Sequence, residues 1–431
     1  MALSTHVRRL ALVAALPTAL GPATHAGAQG LGAPPETTRP VSSAGMSLFG
    51  GWDSSVGLDG LPSDSLLSEP LYSGFEATLA HQRRGPTRGF TAAVGTQYRY
   101  FPETRELFNI DGVAELAVDT QVRRHGRLRL SQTGRYTRYR QLNIAPTDTT
   151  ETDSDRLVLS NPETSSTVGQ PFYDLTSAVS FSEGLGPRAN LVASYSFRVN
   201  FNKDWSERPS MHDVGLRYGR SLSQQTGMWL GSAYRVGSTG IDTVNPSIRA
   251  TDLQGGVSYS RKGTTLNASS GVTMASRGDT PTAETNSALA YEVTGGAGVT
   301  QALGQSWTVR AEYSRRLQFV DALPDPFAAD QATGTVSGPL ARRVNLGLQA
   351  SYWTGTAIVT TAGNDQRATG WQAASRLDFN LSRRAQAYVQ YHYTGNQFSA
   401  GTLANLPAGV VPRSNWGGIR VGLDLWVPFV H

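Results

Sequence analysis

The chain contains no cysteine. That excludes disulfides, thiolate metal sites, cysteine nucleophiles and acylation of a lipoprotein cysteine, and it suits passage through an oxidising compartment. Lysine is almost absent: Lys203 and Lys262 are the only two among 38 basic residues. Charged residues of all kinds are only 16% of the 431, well under the roughly 25% of an ordinary soluble domain. The formal net charge of +5 is small and dispersed, so no nucleic-acid partner is expected. No apolar run after the first residues approaches the ~20 needed for a spanning helix. A Gly-x-Ser-x-Gly elbow, a His-Glu-x-x-His helix and a phosphate loop are all missing, so no catalytic site, metal or cofactor is expected.

What is present begins with an export signal. His6, Arg8 and Arg9 precede a short apolar core, Leu10 to Leu20, interrupted by Pro17. Ala26-Gly27-Ala28 then gives a small-x-small pattern, so residues 1–28 read as a signal peptide cleaved after Ala28. Residues 29–43, rich in Pro, Thr and Ser, read as a disordered periplasmic lead-in. Residues 44–431 read as one unit.

That unit is built from segments of about ten residues in which apolar side chains alternate with small or polar ones. In 190–201, Leu191, Ala193, Tyr195, Phe197, Val199 and Phe201 share one face, and Asn190, Ser194, Ser196, Arg198 and Asn200 the other. In 307–319, Trp307, Val309, Ala311, Tyr313, Leu317 and Phe319 oppose Thr308, Arg310, Glu312, Ser314, Arg316 and Gln318. The same period of two recurs in 344–352 and 371–381 and more weakly elsewhere; 46–52 and 331–338 are the faintest. Aromatic residues cluster at the ends of the apolar faces, where a barrel carries its interfacial girdles. Short connections such as Arg261–Thr264 alternate with long ones such as 141–171. Tight turns at one end and long loops at the other predict an all-β, antiparallel up-and-down transmembrane barrel of about 18 strands, 16 being acceptable. Both termini then lie on the periplasmic side.

The last stretch, Asn415 to His431, sharpens this. Ile419, Val421, Leu423, Leu425, Val427 and Phe429 fall on one face, and Arg420, Gly422, Asp424, Trp426 and Pro428 on the other. This strand, ending in an aromatic cluster, resembles the C-terminal strand of bacterial outer-membrane β-barrels, although Phe429 stands third from the end rather than last. The resemblance implies that Gly422, Leu425, Val427 and Phe429 carry an assembly signal read by the barrel-assembly machinery. It also implies an outer-membrane lipid surround. The whole resembles bacterial porins in architecture, with no particular family assigned. The implied function is passive diffusion of small hydrophilic solutes through a channel that leans toward anions, in a barrel free to form oligomers.

With apolar faces toward lipid, the opposite faces line the lumen. They include Glu76, Arg99, Glu115, Asp119, Arg129, Arg135, Arg198, Arg217, Arg235, Arg310, Glu312, Arg316, Arg376, Asp378, Arg420 and Asp424. Mixed charges with arginine in excess would set a transverse field that favours anions; pairing across strands would instead stiffen the wall. The acidic connection 141–171 is the candidate for an inward-folded constriction. Two other classes stay open. One is a structural or export-associated barrel with a closed lumen. The other is an outer-membrane hydrolase, for which His212 beside Asp213 is the only rim pair.

Overall fold

The computed structural model describes residues 41–53, 71–102, 108–137, 172–202, 210–238, 247–277, 289–304, 306–318, 326–358, 366–404 and 415–430. Eighteen strands follow one another: β1 (Val41–Asp53), β2 (Leu71–Arg84), β3 (Arg88–Tyr100), β4 (Phe108–Gln121), β5 (Gly126–Thr137), β6 (Phe172–Gly186), β7 (Ala189–Asn202), β8 (Ser210–Ser221), β9 (Thr226–Ser238), β10 (Ser247–Arg261), β11 (Thr264–Arg277), β12 (Leu289–Leu303), β13 (Trp307–Gln318), β14 (Phe327–Ala341), β15 (Val344–Ala357), β16 (Arg367–Asn380), β17 (Ala385–Phe398) and β18 (Asn415–Val430). One short helix, α1 (Ala400–Ala404), precedes the last strand. The expected signal peptide lies outside the described residues, as does the lead-in up to residue 40; β1 itself begins at Val41.

Each strand pairs antiparallel with the next, and β18 closes on β1 from Val41↔Val430 to Asp53↔Gly418. The sheet therefore has no free edge strand, which is the condition for backbone to cross hydrocarbon. The strands run 12 to 16 residues, longer than the roughly 9–11 that span a bilayer at a tilt near 45°. An even number of strands returns the start of β1 and the end of β18 to one rim, the rim of the short turns. One of the two-residue turns among them, Lys262–Gly263, has positive φ at both residues (46° and 84°). That geometry suits a two-residue hairpin, because its twist matches that of the strands it joins. Even 46–52 and 331–338, the faintest segments in the sequence, lie in β1 and β14.

The faces separate as the alternation predicts. Outward positions are exposed and apolar: Leu253 and Val257 on β10, Leu216 on β8, Leu230 on β9, Val421 on β18. Aromatics ring this surface near both rims. Phe75 stacks on Tyr98, and Tyr173 on Phe201 with Tyr136 beside it, toward the long connections. Trp307, Phe379 and Phe429 lie toward the short turns. Inside, large rings are seated over glycines of neighbouring strands. A Cβ on Gly422 would stand 2.5 Å from the ring of Tyr388, and one on Gly51 2.6 Å from that of Tyr72. The absent side chain on one strand is thus the room for a ring from the next.

Three outcomes follow. Leu253→Arg puts a guanidinium on the lipid face and should cost about 2–4 kcal/mol, read as a fall in the urea midpoint of reversible folding into bilayers. Gly422→Val should cost about 1–3 kcal/mol through overpacking against Tyr388. Gly347→Ala, where a Cβ meets nothing within 4 Å, should leave the midpoint in place.

Candidate functional site: the charged inner wall

The inward faces carry charge in groups, and the strand register decides which residues meet. On the wall where the barrel closes, Arg376 of β16 bonds Asp378 on its own strand (2.7 Å) and Asp424 on β18 (2.8 Å). Its guanidinium lies 4.1 Å from the centroid of Tyr388. Arg420 of β18 covers the ring of Phe49 at 3.6 Å and stands 3.8 Å from Glu76 of β2. Phe49, Tyr72, Phe101 and Tyr388 form one buried cluster beneath these charges. Guanidinium planes over aromatic faces gain a cation–π attraction on top of their ion pairs. Arg376 and Asp424 are both buried, so removing either would strand the other's charge in a poorly hydrated place.

A second group lies across the barrel. Arg235 of β9 bonds Asp213 of β8 at 2.6 Å and approaches Asp252 of β10 at 3.2 Å, a contact off the hydrogen-bond axis. Thr273 of β11 donates to the same Asp252. On β7, Arg198 grips Asp174 of β6 through two nitrogens at 2.8 and 2.6 Å. Arg135 of β5 faces the same aspartate in the register. Arg310 and Glu312 pair along β13 at 2.5 Å. Asp119 of β4 stands opposite Arg129 of β5. Arg217 of β8 differs, lying over the indole of Trp229 at 4.0 Å. The remaining positions, Arg99, Glu115 and Arg316, also fall on the inward parity of β3, β4 and β13; Arg99 stands 5.8 Å from the ring centroid of Tyr72.

The long-connection end of β13 and β14 departs from the simple wall. β12 pairs with β13 only from Gly295↔Arg315 to Leu303↔Trp307, so Leu289–Thr294 has no β13 partner among the described residues. Leu317 belongs by alternation to the lipid face, yet it is 4% exposed and packs on Ala250 and Ala275. Those two alanines sit on the inward parity of β10 and β11. The long-connection ends of β13 and β14 therefore lie inside the barrel, their outer face against the inner face of the wall. Arg315 fastens them, bonding Glu292 of β12 at 3.0 Å and Asp330 of β14 at 3.1 Å, and Tyr313 donates to Asp330 at 2.5 Å. Next to them, Phe327, Trp353, Ala357 and Ala368 form an inward apolar cluster with Phe398 against it. Thr402 of α1 closes over that cluster's edge by donating to the carbonyl of Arg367.

The sequence placed Leu317 with the lipid-facing residues; the inward tilt of these strand ends is why that expectation fails. The connection 141–171 lies outside the described residues, as does Phe319. His212 and Asp213 point to opposite faces. His212 meets the hydroxyl of Tyr195 at 3.0 Å on the outside, and Asp213 meets Arg235 within. Of the expected assembly residues, Val427 and Phe429 are exposed on the outer face with Leu425 on the same parity, and Gly422 lies inward beneath Tyr388. Asp174, Asp252, Glu292 and Asp330 were not singled out from sequence. Nothing in the alternation marks any of them, and only the register shows which arginine each meets.

No protein-family model matches the chain, and no curated protein does. The chain is similar to solved structures at low identity. OccK2 (OpdF) of Pseudomonas aeruginosa, solved in complex with glucuronate, is 11% identical over 91% of this chain and 98% of its own, with a TM-score of 0.48. The FrpB iron transporter of Neisseria meningitidis is 9% identical over 93% of this chain and 83% of its own, with a TM-score of 0.49. OccAB4 of Acinetobacter baumannii is 10% identical over 92% of this chain and all of its own, with a TM-score of 0.43.

Proposed function

We propose that the chain is an outer-membrane channel for passive diffusion of small hydrophilic solutes, its lumen lined by arginine–carboxylate groups that set a weak preference for anions. The observation that carries this is the closed ring of 18 strands with an apolar outside and ion pairs within. Barrels of 16–18 strands enclose water unless something fills them, and fixed charges facing that water bias which solutes enter. Many of the arginines are balanced by neighbouring carboxylates, so the expected preference is modest. Arg217 is the residue most able to tilt it, because its guanidinium lies over a ring and not against an acid. The long connections face outward from the cell in this reading, and the short turns face the periplasm. The inward ends of β13 and β14 favour a narrowed channel over a wide one.

Planar-bilayer recording of the refolded protein under a salt gradient tests this. Steady conductance with an anion-leaning reversal potential is expected, and Arg217→Gln should move that potential toward cations without lowering the folded fraction. A folded barrel that never conducts would overturn the channel and favour the closed-lumen reading. Leu317→Ser should loosen these tucked ends and raise unit conductance at unchanged folded fraction; unchanged conductance would remove them from the constriction.

A further inference from the structure

Charge is divided between the two rims of this barrel. Seven of the eight short turns carry Arg or Lys within the turn or the two strand residues on either side, and none carries Asp or Glu there. The long connections, with the same two flanking strand residues, have the reverse balance, with acidic residues outnumbering basic ones. At the short-turn rim the basic side chains, among them Arg123, Arg188, Arg343 and Arg384, are exposed, and no ion pair is recorded for them among the described residues.

The cations also keep a fixed relation to the lipid face. Val122 and Leu381 are exposed aliphatic residues that continue the outward parity just past their strands, and Leu185 and Leu340 are exposed aliphatic residues at the register shifts that end β6 and β14. Each is followed within three positions by arginine: Arg123, Arg188, Arg342 and Arg383. An aliphatic side chain at the edge of the hydrocarbon, with a guanidinium one to three residues beyond it, matches the order of layers in a leaflet. Acyl chain comes first, then phosphate. Guanidinium binds phosphate oxygens through paired donors, and its stem lies along apolar surface while its head stays at the interface.

From this we infer that the short-turn rim is a binding belt for anionic phospholipid headgroups, of the phosphatidylglycerol class, in the leaflet that surrounds it. The inference rests on the membrane-spanning part of the proposed function and not on conduction. Each arginine near an anionic surface contributes on the order of 1 kcal/mol, so neutralising one should weaken the preference for anionic lipid roughly fivefold. Screening by salt should weaken it too, because these groups are exposed.

The test uses the full refolded chain in phosphatidylcholine bilayers containing brominated phosphatidylglycerol or brominated phosphatidylcholine, with quenching of tryptophan fluorescence reporting relative affinity at the protein surface. The expected result is a preference for phosphatidylglycerol that falls with added salt. It should fall further in the variant combining Arg342→Gln, Arg343→Gln, Arg383→Gln and Arg384→Gln. If that variant does not fold, the pair Arg123→Gln and Arg124→Gln, on a different turn, carries the same expectation. No preference in the wild type, or one that the folded variants keep in full, would overturn the belt. Salt-sensitive sedimentation of the wild type with isolated peptidoglycan, without any lipid preference, would overturn it as well and assign the rim to the cell wall. Conductance is read separately, so a silent barrel that still prefers phosphatidylglycerol sinks only the channel.

Discussion

The fold depends on a sheet that meets itself, so that its backbone amides pair with one another around the wall without help from water. In hydrocarbon an unpaired N–H or C=O costs several kcal/mol, and a sheet can avoid such groups only by meeting itself. The seam between β1 and β18, thirteen residue pairs long, is therefore as much a part of the fold's stability as any hydrophobic contact. Closure also fixes parity. Once the sheet is a cylinder, each residue faces either lipid or lumen, and a one-residue slip anywhere would reverse a whole strand.

The inner surface solves a packing problem that the outer surface does not have. Outside, no facing strand has to interlock with the side chains. Inside, rings from one strand lie over glycines of the next, as Tyr388 does over Gly422 and Tyr72 over Gly51. These placements bring rings within reach of arginines, and the arginines in turn gather carboxylates. The cluster of Arg376, Arg420, Asp424 and Glu76 thus grows out of small residues in the sequence as much as out of charged ones.

Strand number and the alternation of two faces along each strand were legible in the chain, because a period of two survives without knowledge of partners. The faint segments, β1 and β14, were faint for a physical reason: their faces carry Gly, Ala and Ser, whose small side chains barely distinguish lipid from lumen. Pairings such as Arg198 with Asp174, or Arg315 with Glu292, were not legible, since they depend on register between strands. Leu317 was misplaced because alternation assumes an unbroken wall, and at that point the hairpin leaves the wall. The separation of His212 from Asp213 was foreseeable from the same period, since adjacent residues in a strand cannot share a face.

The departure of these ends of β13 and β14 from the wall has a consequence for how the cylinder comes apart. Antiparallel strands direct their amides to the two neighbours in alternating pairs, so along Leu289–Thr294 about half of β12's ladder groups point toward a β13 partner that the described residues do not supply. A closed cylinder has no natural starting point for unzipping, and this one has been given one. Fraying that begins there meets Arg315 and its two carboxylates before it meets a continuous ladder. The β12–β13 junction is thus the weak stitch of the wall, and the ion pairs at its head are the knot that keeps it from running.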